Sequence, residues 1–200
     1  FEFHLVRFPF PHPVKLLTHL FLLVCLSGLT AAAWVGHRTP DLSGVAGADP
    51  SGPAVDISDA LEQAEIKRSA PIEITEADLN RYLAATVAGV QKGRTEKVFA
   101  FEKMLIDLEP GIARVTLCWL AYGHRTTTSL DLKVSAAGSL HRVEIVKGFY
   151  GKLPVARGFT LPILPAYQAL ASACDAEVKR LFNMTKIQIA KDKLVLDPRF

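Results

Sequence analysis

Residues 16–35 run without one formally charged side chain, and no other stretch of the 200-residue chain restricts its fate as tightly. Some twenty residues at ~1.5 Å rise make a helix of about 30 Å, the depth of a bilayer's hydrocarbon core. Thr18 and His19 are its only awkward members. Lys15 precedes the run, and a stretch rich in Gly, Pro, Ala and Ser follows it. Everything downstream is therefore expected to be delivered across a membrane.

Two fates of this segment are open, and both put the rest of the chain on the extracytoplasmic, periplasmic side. As a retained single-pass anchor, the whole of 16–35 spans, Trp34 takes the interfacial aromatic position, and Arg7 and Lys15 hold the N-terminal side inward. As a cleaved signal peptide, its apolar heart is the shorter 20–29, and Ala31, Ala32 and Ala33 supply the small-x-small pattern a peptidase requires. The product is then periplasmic or secreted. Lipidation at Cys25 is disfavoured by Val24, which is too large for the residue before a lipidated cysteine. Residues 1–15 are left uninterpreted. Met104 and Met184 are the only methionines, and a start at Val14 through a non-standard codon would open with Lys15, Leu16 and Leu17, as a compact export signal does.

Residues 36–57 read as a linker: to Pro53 they are dense in Gly, Pro, Ala, Ser and Asp without periodicity, a composition that buries too little to order itself. Residues 58–200 are long enough for one domain with a real core. The 23 basic and 20 acidic residues are interspersed, so the net charge of +3 carries no nucleic-acid footprint. Cys118 and Cys174 belong to the domain; export permits a disulfide between them, but two small buried hydrophobes is the plainer reading.

Along the domain, Ala60, Leu61 and Ala64 mark a weak helical stripe over 58–68. Ile72-Glu73-Ile74 is a short strand. Thr75 with Asp78 caps a helix whose inner face carries Leu79, Tyr82, Leu83 and Val87 and which stops near 89–93. Four strands follow at 98–108, 113–122, 126–134 and 140–147, separated by Pro110-Gly111, Gly123-His124 and Gly138. The third alternates cleanly, with Thr128, Leu130, Leu132 and Val134 on one face. The second is apolar on both parities, through Val115, Leu117 and Trp119 and through Cys118, Leu120 and Tyr122, so it is covered twice or meets a partner. After a Gly/Pro-rich segment at 148–165, Tyr167, Leu170, Cys174, Val178 and Leu181 give one amphipathic helix over 165–182. Residues 187–189 and 193–196 close the chain as a strand or hairpin. The fold class is α+β: a curved antiparallel meander packed on one long C-terminal amphipathic helix.

The order of these elements, with Ile74-Thr75-Glu76, Leu79-Asn80, Tyr82-Leu83 and the Gly-x-Leu-Pro turn from Gly151 to Pro154, resembles single-pass bacterial envelope proteins of unknown function. Those in turn resemble the tubular lipid-binding superfamily, whose curved sheet wraps a long helix and leaves an apolar groove for acyl chains. The resemblance runs over residues 71–198. It implies that the helix from Pro165 lies in the concave face of the sheet, with Leu79 and Leu83 closing one end.

Converging catalytic groups are not evident. His124 and His141 have no ligand-spaced neighbour, so no metal or cofactor is expected, and no phosphate loop, nucleophile elbow or acid pair stands out. Glu76 reads as a first-turn acid favoured by the helix dipole. The candidate ligand groove is Trp119, Tyr122, Tyr167, Leu170 and Cys174. Candidate headgroup contacts are Arg142, Lys147, Lys152 and Arg157, beside Phe149, Tyr150 and Phe159. The expectation is a non-enzymatic, membrane-tethered domain that binds a lipid or other apolar ligand. The alternative is a structural or assembly module that offers a sheet edge or face to an envelope protein.

Overall fold

A computed structural model describes residues 13–47, 56–68, 70–87, 99–137 and 140–199. The chain divides into two compact units that meet in sequence at Val35 and Gly36. The first holds helix α1 (Pro13–His37) as far as Val35, and the helix's 23 residues from Lys15 are long and apolar enough to cross a membrane. The run of 16–35 is thus one unbroken helix, as its composition demands.

In the second unit, α2 (Ile57–Lys67) starts where Asp56 accepts from the Asp59 N–H. Strand β1 (Ile72–Thr75) leads directly into α3 (Glu76–Thr86), capped by the Thr75 hydroxyl, which accepts the Asp78 N–H at 3.1 Å. The helix stop expected at 89–93 lies outside the described residues. Strands β2 (Phe99–Glu109), β3 (Ile112–Ala121), β4 (His124–Ala137), β5 (Leu140–Tyr150) and the three-residue β6 (Leu153–Val155) form one antiparallel sheet in sequence order. A bulge sets Val146 outside the pairing, since Asp131 faces Lys147 while Leu132 faces Ile145. The C-terminal segment is a hairpin of β7 (Lys186–Ala190) and β8 (Lys193–Asp197), and β1 adds to β8 to make a second sheet of three strands.

The helix expected over 165–182 is two helices, α4 (Leu164–Ala173) and α5 (Asp175–Phe182), preceded by a 3₁₀ helix at Arg157–Ile163. Cys174 leaves the helical region at φ −111°, ψ 29°, where its N–H bonds three residues back to Ala171. Asp175 and Glu177 then occupy the first turn of α5, where the helix dipole favours acids. Breaking here buries Leu170 and Cys174 against Leu83, Val87 and Leu117 in one core cluster, while Leu181 packs with Leu61, Leu108, Met184 and Leu196 in another.

Strand β3 is covered on both sides: Val115, Thr116, Leu117 and Cys118 are all buried, although Leu120 and Tyr122 further on are exposed. The helices cover one face. Residues 38–47, part of the expected loose linker, cover the other. Two glycines admit close neighbours here: Gly151, at φ 55°, lies under the Gly36 and Arg38 carbonyls, and Gly148 leaves room for the Thr160 methyl.

Candidate functional site

Residues 38–47 are held by two buried side chains of α3. The Glu76 carboxylate accepts the Ala46 N–H at 2.8 Å and the Leu108 N–H at 2.7 Å. One turn on, Asn80 accepts the Ile106 N–H at 2.7 Å and donates to the Ile106 and Ala46 carbonyls, each at 2.8 Å. The Asp192 N–H adds a bond to the Leu108 carbonyl at 2.9 Å. At Ile106 and Leu108 the outer edge of β2 is therefore closed by side chains and a turn rather than by another strand. Glu76 is 2% exposed and Asn80 0%, so both side chains are shielded from water, most fully at the buried bond from Leu108 to Glu76. Burial pushes the Glu76 carboxyl above the ordinary glutamate range, and the Leu108 and Ala46 N–H groups pull it partly back.

This pair was not legible as a site, because Glu76 passes for an ordinary first-turn acid. The signal was its spacing: positions 76, 80, 83 and 87 share one face, and all four are buried, so the inner stripe of α3 begins with two polar residues. The face expected through Leu79 and Tyr82 is the flank of that stripe, and both are half-buried.

Beneath residues 38–47, the sheet face is polar. Arg114 makes a two-pronged bridge to Asp131 at 2.7 and 3.1 Å and stacks 5.2 Å from the Phe149 ring, and the Thr116 and Ser129 hydroxyls are hydrogen-bonded at 2.9 Å, either one donating. A cavity of about 220 Å³ lies there, its walls including Asp41, Leu42, Asp107, Phe149 and Lys152. Burial raises the Asp107 carboxyl, and Arg114 opposes it.

The expected ligand residues separate. Trp119, Tyr167, Leu170 and Cys174 share one cluster with Leu117, whose exposure is 0%. Tyr167 donates to the Thr128 carbonyl at 2.8 Å, which ties α4 to the sheet. These side chains pack together between the helices and the sheet, with Trp119 and Tyr167 partly buried. Tyr122 lies elsewhere, 78% exposed in the β3–β4 turn at φ 49°. Cys118 and Cys174 are both free, and burial raises both thiols, so neither is a ready nucleophile.

The expected headgroup residues also divide. Arg142 and Lys147 lie on β5, and Lys152 sits in the β5–β6 turn beside the cavity. Arg157 opens the 3₁₀ helix, and its side chain lies outside the described residues. That helix exposes Phe159 and Leu161, and the Tyr150 hydroxyl donates to the Phe159 carbonyl at 2.9 Å.

Strand β6 pairs only with residues 148–150 of β5. Over 141–147 the outer edge of β5 meets no strand among the described residues. A groove of about 380 Å³ lies there, between Arg142, Val143, Glu144 and Ile145 on one side and Thr160, Leu161 and Leu164 on the other. His124 faces the His37 ring, and His141 bonds the Met184 carbonyl at 2.7 Å. No group of three or more His, Cys, Asp or Glu able to hold a metal occurs among the described residues. Set against protein-family models, curated proteins and solved structures, the chain matches none.

Proposed function

We propose that this chain is a non-enzymatic, membrane-tethered module of a cell-envelope assembly, with its domain on the extracytoplasmic side. The observation that carries this reading is the edge of β5, where backbone hydrogen-bonding groups lie beside exposed Val143 and Leu161. A strand edge next to an apolar groove recognises an extended segment through its backbone, and the groove selects alternate side chains. A filled interface between sheet and helices supports assembly over carriage of an acyl chain. Native mass spectrometry of the full chain released gently from membranes tests this. Assembly predicts a multi-chain species without stoichiometric lipid; a monomer retaining one lipid per chain would contradict it.

A second reading has its own support. Phe159 is 70% exposed and Leu161 64% on a turn that carries no acid, and Lys152 is exposed nearby in sequence. Apolar side chains beside cations suit an anionic lipid surface. This replaces the internal groove with contact at the rim. Phe159→Trp in liposomes with brominated lipid gives quenching beyond that of the unmodified chain if the rim enters the interface, and no added quenching if it does not.

A further inference from the structure

Over 141–147 the β5 edge meets no strand among the described residues, and its sequence specifies a complement to itself. Arg142 lies opposite Ser135 and Glu144 opposite Lys133, so both charged residues share one face of the sheet; Val143 and Ile145, opposite Val134 and Leu132, share the other. The two charges are of opposite sign and flank one apolar residue. Arg142 and Glu144 approach only to 3.7 Å, with side chains 72% and 48% exposed, so within one chain the pair is loose.

We infer that β5 pairs antiparallel with β5 of a second copy about a two-fold axis at Val143, an inference that rests on the assembly reading. In this register Val143 faces Val143, and each Arg142 faces the Glu144 of the other copy. His141 faces Ile145. The charged face gains two opposite-sign cross-strand pairs, and the apolar face gains a stripe that continues into the wall made by Leu161 and Leu164. Neighbouring registers lack this match. Centring on Glu144 sets that residue against itself, and centring on Arg142 does the same for the arginine, both like-charge contacts that oppose pairing.

Edges that must stay unpaired carry proline, like charges or bulges. The described part of β5 at 141–147 has no proline, and its bulge at Val146 lies at the margin of the paired length. At Ile106 and Leu108 the edge of β2 is taken by Asn80 and Glu76 and offers no such surface. The occupant that the charge pattern fits is therefore another copy of this chain.

Residues directly opposite in an antiparallel pair have Cα atoms about 4.5–5.5 Å apart, within the range a disulfide spans. The full chain carrying Val143→Cys in a Cys25→Ala background, in detergent and in proteoliposomes, should give a covalent dimer under mild oxidation. Thr185→Cys, exposed in the bend between α5 and β7, should give at least about tenfold less. Adding Arg142→Glu should sharply lower the Val143→Cys dimer, and Arg142→Glu with Glu144→Arg should restore it. Cross-linking no greater than that of Thr185→Cys, or indifference to Arg142→Glu, overturns self-pairing. If self-pairing fails but the unmodified chain still runs in a larger complex that Val143→Lys disperses, this inference falls and the assembly reading stands. If Val143→Lys disperses nothing, both fall.

Discussion

Strand β2 bounds the five-stranded sheet on one side, residues 141–147 of β5, beyond the reach of the short β6, bound it on the other, and the two edges end in opposite ways. Along β2, the Ile106 and Leu108 amides are taken by Asn80 and Glu76, two side chains with almost no exposed surface. Along β5, residues 141–147 keep their outer backbone free of any strand among the described residues, with Val143 44% exposed. Sealing an edge with side chains requires burying a carboxylate and an amide, which is costly unless every polar atom is matched. The chain meets that requirement at one edge only, and the open edge lies beside an apolar groove. The proposed assembly rests on this difference, with the 141–147 edge of β5 as its docking edge.

The largest effect is expected at the closed edge. Asn80→Asp puts a second carboxylate oxygen against the Ile106 and Ala46 carbonyls, in place of the amide that donates to them, and should cost about 3–5 kcal/mol. Urea unfolding of the full chain in detergent measures it. A midpoint within error of wild type would mean that the Asn80 bonds do not hold the edge.

Glu76→Gln keeps shape but turns one acceptor into a donor that faces an N–H group, at a cost of about 1–3 kcal/mol. It also sharpens the electrostatic side of the comparison. Because burial raises the Glu76 carboxyl in the fold, the native state holds its proton more tightly than the unfolded chain does. The stability from this group is full below the unfolded value and is lost as pH rises through the folded value. Asp107 acts in the same direction, so the informative quantity is the difference between wild type and Glu76→Gln across mildly acid to neutral pH. That difference should be pH-dependent; a flat one would place the Glu76 carboxyl in its ordinary range.

At the open edge, substitution should barely touch the monomer. Val143→Lys is expected to shift stability by no more than about 0.5 kcal/mol, since the residue is exposed, while lowering association. A large loss of stability measured at high dilution would show that Val143 belongs to the core.

The amino-acid sequence exposed some of this and hid the rest for physical reasons. The membrane-length helix and the meander were legible because composition and alternation are local signals. So was the double covering of β3, although not the covering element, since residues 38–47 bury little apolar surface of their own and are tied by Glu76 and Asn80 from another element. The break at Cys174 was concealed by apolar spacing that continues across it from Leu170 to Val178; only Asp175 and Glu177 signalled a new helix start. Among the expected ligand residues, pattern placed Trp119, Tyr167, Leu170 and Cys174 in the interior but gave no means of telling a filled core from a groove.

Hydrogen–deuterium exchange on the full chain in membranes compares the two edges directly, with wild type set against Val143→Lys. The account predicts that the Ile106 and Leu108 amides stay protected in both, while outward-facing amides within 141–146 are protected in wild type and exchange faster in the variant. Equal exchange over 141–146 in the two proteins, or loss of protection at Ile106 and Leu108 in the variant, would contradict it.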